Sequence, residues 1–224
     1  MQRYFSKKLE SNILFINNED FNHIKKVMRF KPSDKVKIVY DKKVFLCELN
    51  QDLETATIIE EISNTVENYN LRLFMPILQE EKMDMILQKG TELGIREFIP
   101  VNMERCKFKI NEDKREKKIV RWHMICKEAS EQSERNNIPE VSNIINLKNI
   151  DADADYLLLC SLDKKNSKTI RETFKSINKN DIINVVFGPE GGLSKNEEDY
   201  LVSKGYKLLN FGEQVLRTET APLY

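Results

Sequence analysis

Three of the seven glycines in this 224-residue sequence fall within five positions, at Gly188, Gly191 and Gly192. They follow directly on the apolar run Ile182-Ile183-Asn184-Val185-Val186-Phe187. Ser194, with Glu197 three residues later, has the pattern of a capping box that opens a helix. Strand, glycine turn and helix would set Gly188, Pro189, Glu190, Gly191 and Gly192 at the carboxyl edge of a parallel sheet, where α/β proteins bind ligands. Glycines there let backbone amides and carbonyls approach a flat ring or a charged group. The turn lacks a closing Gly-Lys-Ser/Thr and is not Gly-x-Gly-x-x-Gly, so a nucleotide-like ligand is expected without an evident phosphate cradle. The competing reading is a tight turn with no ligand.

A second turn follows the next apolar strand and runs from Phe211 through Gly212, Val215, Leu216, Arg217 and Glu219 to Ala221. Adjacent loops on one sheet edge can hold one ligand between them. Arg217 and Glu219 would then touch the ligand, or else form a surface ion pair. A third set, Glu128, Gln132 and Arg135, has i, i+4 and i+7 spacing and would share one helical face. That face would offer hydrogen-bonding groups to a polar substrate or simply meet solvent.

The elements that must position these residues change character along the chain. Ile13–Ile16, Val36–Tyr40, Val44–Cys47 and Ala56–Ile59 read as short strands. A helix from about Asp20 to Phe30 would set Phe21, Ile24, Val27 and Met28 on one stripe. Closely spaced short strands suggest a small β-barrel. Ser63–Asn68 reads as a linker, giving domains at 1–68 and 69–224.

Beyond it, strands are expected at Leu71–Pro76, Ile95–Val101, Tyr156–Cys160, Ile182–Phe187 and Lys207–Phe211. Helices are expected at Glu81–Leu93, closed by Gly94, at Asp113–Glu134, at Lys168–Ile177 and at Lys195–Lys204. The long helix would turn Ile119, Trp122, Ile125 and Ala129 inward. Apolar strands alternating with helices imply an α/β fold with a parallel sheet covered on both faces.

Composition narrows the functional classes. Hydrophobic residues make up 40% and charged residues 32%, as in a folded soluble protein. No apolar run reaches the roughly 20 residues of a membrane span, and the start lacks the apolar core of a secretion signal, so a cytoplasmic protein without a membrane partner is expected. Cys47, Cys106, Cys126 and Cys160 form no Cys-x-x-Cys pair and only two histidines accompany them, which argues against a metal.

The net charge of zero hides two basic stretches. From Phe21 to Lys43, eight basic residues against Asp34 and Asp41 leave +6, and from Arg105 to Arg121, eight against three acids leave +5. Such stretches make a footprint for phosphates, or are solvated faces.

The segments Glu-Ala-Ser-Glu-Gln-Ser-Glu-Arg (128–135), Phe-Gly-Pro-Glu-Gly-Gly-Leu (187–193) and Val-Leu-Arg-Thr-Glu-Thr-Ala (215–221), in that order, closely resemble the bacterial 16S ribosomal RNA uridine-N3 methyltransferases of the SPOUT superfamily. Gln88–Gly94, Glu104-Arg105, Arg3-Tyr4-Phe5 and His23 with Val27-Met28-Arg29 support the likeness, which spans nearly the whole chain. Gly90, where that family usually has Ala, and Cys106, where Ser is common, depart from it.

The resemblance implies an amino-terminal PUA-like β-barrel that helps bind RNA, a catalytic parallel sheet whose carboxyl-terminal chain forms a trefoil knot, and a homodimer acting on 16S rRNA of the small ribosomal subunit. It implies S-adenosyl-L-methionine as cofactor, held by Leu162, Gly188, Pro189, Glu190, Gly191, Gly192, Phe211, Gly212, Val215 and Leu216. Members usually continue past the Thr-Ala stretch into a final helix; here the sequence reaches Pro222-Leu223-Tyr224, and a shortened chain or a disordered tail is expected.

Uridine N3 is a poor nucleophile while it holds its proton. Glu128 or Glu219, raised in pKa by burial, is therefore expected to accept that proton, with Arg217 or Arg135 stabilising the anionic base. Arg3, Lys25, Lys26, Arg29, Lys31, Arg105 and Gln132 are expected to meet RNA. The alternatives are a SPOUT enzyme with another RNA target, a non-catalytic RNA-binding protein and a small-molecule nucleotide enzyme.

Overall fold

The computed structural model describes residues 1–62, 70–163 and 166–224. The expected linker Ser63–Asn68, and with it the boundary between 68 and 69, lies outside the described residues. By compactness the chain forms two units, Met1–Val66 with Ser130–Ile138, and Glu67–Ala129 with Pro139–Tyr224.

The first unit is built on six strands: β1 (Arg3–Phe5), β2 (Leu9–Glu10), β3 (Ile13–Phe15), β4 (Lys35–Tyr40), β5 (Lys43–Leu49) and β6 (Thr55–Ile62). Their order in the sheet is β1-β4-β5-β6-β3-β2, antiparallel except for β1 beside β4. Tyr4 on β1, Leu14 on β3, Val36 and Ile38 on β4, Cys47 and Leu49 on β5 and Ala56 on β6 all join one core cluster. Strands from across the sheet share that core, so the sheet curls around it. Strands β1 and β2 escape a periodicity reading because they are only three and two residues long.

The helix expected over 20–30 takes another form. A short helix α1 (Asn18–Asn22) passes into a π-helical turn over His23–Met28, which ends on Arg29 with φ of 55°. The wider turn breaks the 3.6-residue period behind the expected stripe. Ile24 is fully buried, but Val27 and Met28 are 66% and 39% exposed.

The second unit contains β7 (Asn70–Pro76), α2 (Glu80–Glu92), β8 (Glu97–Asn102), α3 (Glu112–Gln132), β9 (Glu140–Val141), β10 (Ile145–Asn146), β11 (Tyr156–Cys160), β12 (Lys168–Thr169), α4 (Ile170–Phe174), β13 (Ile182–Val186), α5 (Lys195–Ser203) and β14 (Lys207–Asn210). The end of α3, from Ser130 on, counts with the first unit.

The strands form one wholly parallel sheet in the order β10-β8-β7-β13-β11-β14-β12, with β9 also on β8. Its central strands are buried on both faces, as Leu73, Phe74 and Met75 on β7 and Ile183 to Val186 on β13 show. The inward face of α3 centres on Trp122, Cys126 and Ala129, with Ile119 and Ile125 only partly covered.

Gly94 ends α2 at φ of 101° as expected. Gly90, in the same helix, packs so tightly that a Cβ would lie 2.7 Å from Ile95 Cδ1 and 2.9 Å from the Phe98 ring. That contact explains the glycine. The helix expected over 168–177 is cut to the five residues of α4, because β12 claims Lys168 and Thr169.

Candidate active site

Parallel strands put their carboxyl ends on one edge, and the sheet here gathers three loops there. They follow β11, β13 and β14, which are direct neighbours in the order β13-β11-β14. The loops line a cavity of about 440 Å³.

All ten residues expected to hold a cofactor border it: Leu162, the turn Gly188 to Gly192, Phe211, Gly212, Val215 and Leu216. Leu162 and Val215 are 73% and 71% exposed, so the rim carries apolar side chains open to solvent. The rings of Phe187 and Phe211 stack with centroids 5.9 Å apart, and Tyr224 meets Phe211 edge-on at 5.6 Å.

Backbone geometry explains the glycines. Gly192 and Gly212 have φ of 67° and 90°, a region costly for other residues. Gly188 has no room, since a Cβ would lie 3.1 Å from the Leu193 amide nitrogen and 3.3 Å from the Gly192 carbonyl carbon. Beyond the turn, the Ser194–Glu197 capping box forms as expected and starts α5. The turn is also braced from the loop after β8. Arg105 Nη1 donates to Gly191 O at 2.9 Å, and the Glu104 amide donates to Glu197 Oε1 at 2.7 Å. Arg105, expected on RNA, thus lines the cavity.

The four candidate catalytic residues separate. Arg217 is open to solvent, its side chain 87% exposed, with Nη1 4.0 Å from Glu219 Oε1. Glu219 is 14% exposed between the cavity-lining residues Thr218 and Ala221. Glu128 is exposed, not sheltered as a proton acceptor was expected to be.

Arg135 does not continue the helical face of Glu128 and Gln132. α3 ends at Gln132, and Glu134 turns the chain with φ of 56°. Arg135 is buried in the first unit, where its Nη2 donates to Asn137 Oδ1 at 3.0 Å.

The RNA candidates of the first unit also divide. Lys25, Lys26, Arg29 and Lys31 are exposed along the π-helical turn and just after it, and Gln132 is exposed at the end of α3. Arg3 is a correction. It is 6% exposed, and its Nη1 donates to the carbonyls of Glu134 and Arg135 and to Asn136 Oδ1, the latter two at 2.9 and 3.0 Å. Arg3 was expected to meet RNA, but the strand β1 points it into the fold.

Comparison with known proteins agrees with this geometry. The RNA methyltransferase domain family matches residues 65–224, and the RNA methyltransferase PUA domain matches residues 16–61. The chain belongs to the RNA methyltransferase family.

It is 32% identical to the ribosomal RNA small subunit methyltransferase E of Bacillus subtilis, over 100% of this chain and 94% of that protein. The protein of the same name from Mesomycoplasma hyopneumoniae is also 32% identical, over 100% of this chain and 96% of its own. The ribosomal RNA small subunit methyltransferase E from Neisseria gonorrhoeae, solved bound to S-adenosyl methionine, superposes with a TM-score of 0.86 at 28% identity, covering 100% of this chain and 94% of that one. A methyltransferase from Legionella pneumophila, solved with bound SAM, gives 0.88 at 28%, covering 99% and 93%.

One residue of this RNA methyltransferase's site was not foreseen. Lys82, in the first turn of α2, places Nζ 2.8 Å from Glu190 Oε1 and 3.3 Å from Glu219 Oε2. The hydrogen bond from Lys82 holds the Glu190 carboxyl below its ordinary value. The Gln79-Glu80-Glu81-Lys82 stretch looks like any charged helix start, so nothing local in the sequence marks this lysine.

The four cysteines are free. Burial raises the thiols of Cys106 and Cys160 and pushes that of Cys47 up to about 12. Among the described residues no helix is long and apolar enough to cross a membrane.

Proposed function

We propose that this protein transfers a methyl group from S-adenosylmethionine to N3 of a uridine in 16S rRNA of the small ribosomal subunit. The observation that carries the reading is the convergence of three loops of the parallel sheet on one cavity lined by the glycine turn and by apolar side chains. The residues suit a flat, uncharged ring system joined to polar groups. Gly192, with open space where a Cβ would stand, permits close approach, Leu162 and Val215 supply apolar contact, and the backbone of 188–192 presents polar groups. The names of the relatives support a ribosomal RNA substrate, and the two solved neighbours support the cofactor.

The domain limits 1–68 and 69–224, a trefoil knot, a homodimer and a cytoplasmic location belong to the same reading. The insertion of β13 between β7 and β11, with β14 on the far side of β11, supports a carboxyl-terminal chain that threads back into the sheet.

When bound, the cofactor supplies an electrophilic methyl group. The chain's own residues must orient the uridine, take its N3 proton and steady the anion. Glu219, sheltered and flanked by cavity-lining residues, is assigned as proton acceptor in preference to the exposed Glu128. Arg217, whose guanidinium is open to solvent, is assigned to the anionic base; Arg135 is already held by Asn137. The exposed Lys25, Lys26, Arg29 and Lys31 would hold phosphates without reading sequence.

Titration calorimetry with S-adenosylmethionine tests the cofactor assignment. Saturable binding is expected, weakened when Gly188 is replaced; a protein that binds RNA but gives no heat with this compound would be the non-catalytic alternative.

A further inference from the structure

Two loops that are well separated in sequence meet at one ammonium. Glu190 belongs to the glycine turn after β13, and Glu219 to the segment after β14. Their carboxylates lie 2.8 and 3.3 Å from Lys82 Nζ, and the three side chains are 24%, 14% and 30% exposed. Glu190 lines the cavity, as do Thr218 and Ala221 on either side of Glu219. Lys82 rides on a helix anchored by Met83, Ile86 and Leu87, all 1% exposed or less. The ammonium therefore projects from the core of the unit and joins two cavity walls that sheet hydrogen bonds do not join.

Glu219 also lies 4.0 Å from Arg217, whose side chain is almost wholly in solvent. Without Lys82, two carboxylates would lie beside the cavity with only weaker compensation, from Arg217 at Glu219 and from Lys107 at Glu190, and the loops would part. The hydrogen bond to Glu190 holds the Lys82 ammonium above the ordinary lysine value, so it stays charged throughout the neutral range.

We infer that Lys82 is a positioning residue of the methyltransferase site, tying the 188–192 turn to the 217–221 segment so that the cavity holds its width. The inference rests on the reading of that cavity as the S-adenosylmethionine site.

The test compares the wild type, Lys82→Met and Lys82→Arg by two readouts. The first is amide hydrogen exchange without ligand at Gly192, Thr220 and Ala221, whose amides bond within the two loops to Pro189 and Arg217. The second is the affinity for S-adenosylmethionine and for S-adenosylhomocysteine, which lacks the sulfonium charge. Lys82→Met is expected to speed exchange at those three amides selectively and to weaken both compounds in parallel by about tenfold. Lys82→Arg, which can still bridge two carboxylates, restores both readouts.

A purely electrostatic role would instead spare or improve S-adenosylmethionine relative to S-adenosylhomocysteine, and would overturn the inference. So would unchanged exchange, or exchange that rises evenly through the second unit as in simple destabilisation. If the wild type binds neither compound, the cofactor reading fails on its own, and the exchange comparison still decides the role of Lys82.

Discussion

Phe187 and Phe211 stack with centroids 5.9 Å apart and planes 18° from parallel. Each is the first residue after its strand, β13 and β14 respectively, and between those strands runs β11. The ring pair thus spans the middle strand and sets the floor from which both cavity loops depart. Replacing Phe187, which is 6% exposed, with Ala is expected to cost about 3–5 kcal/mol, because the site cannot collapse against three fixed strands. Phe211→Leu stays apolar but loses the stacking, and should cost about 1 kcal/mol. Urea denaturation monitored by circular dichroism measures both; equal small losses would show that the pair is not a structural joint.

The glycine turn gives a sharper contrast. At Gly188 an added Cβ meets backbone at 3.1 and 3.3 Å, whereas at Gly191 it meets only the Arg105 side chain at 3.5 and 3.6 Å. Gly188→Ala should therefore deform the turn, at a cost of about 1–3 kcal/mol, and weaken S-adenosylmethionine by more than about tenfold. Gly191→Ala should leave thermal stability near that of the wild type. Similar melting temperatures for the two variants would contradict the crowding derived for Gly188.

Much of this was legible beforehand, for identifiable reasons. β7 and β13 are apolar runs largely buried on both faces, β11 is apolar and buried at its centre, and α5 carries its own capping box, so local pattern and fold agree. The cavity followed from the same logic, since parallel strands must put their succeeding loops on one edge. Three things were not legible. The π-helical turn at His23–Met28 breaks helical period, so Val27 and Met28 were wrongly expected inward. Arg3 is indistinguishable by sequence from a surface cation until β1 is seen to bury it. Lys82 acts through partners far along the chain, and no spacing rule connects them.

Arg3 and the exposed lysines should part in solution. Arg3 holds the 134–136 turn from inside the first unit, so Arg3→Ala leaves buried acceptors unpaired and should destabilise the protein by about 2–4 kcal/mol. Lys25→Glu with Lys26→Glu should change stability by less than about 0.5 kcal/mol. That pair should instead lower RNA affinity and reduce the log K against log salt slope by about two. An unaltered salt slope would reduce the basic turn to a solvated surface.

Acid should loosen the fold in a defined window. Hydrogen bonding from Lys37 holds Glu134 below its ordinary value, and hydrogen bonding from Lys82 does the same for Glu190. A carboxyl depressed in the folded state contributes stability above its unfolded pKa of about 4.3, and loses that contribution as pH falls through the lower folded value. Melting temperature should therefore stay level from neutral pH to about 5 and fall below about 4. Lys37→Met should shrink the acid-side fall. Both carboxylates are partly exposed, so moderate salt should also reduce it. An acid limb identical in the variant would remove the Lys37–Glu134 pair from the account.

Arg217 offers a test of chemistry separate from folding. Its side chain is 87% exposed, so Arg217→Ala should leave melting temperature unchanged. Loss of a group that stabilises developing charge should cut kcat by about 10²–10³ while S-adenosylmethionine affinity stays within about threefold. A kcat within a few-fold of wild type would move that role elsewhere.

The most direct test of the central claim incubates the purified protein with S-adenosylmethionine and unmodified small ribosomal subunits, then digests the 16S rRNA to nucleosides for mass spectrometry. The account predicts 3-methyluridine, formed only when both protein and cofactor are present and reduced in the Gly188→Ala variant at limiting cofactor. A methyl group on another base, or on no base despite measurable cofactor binding, would contradict it.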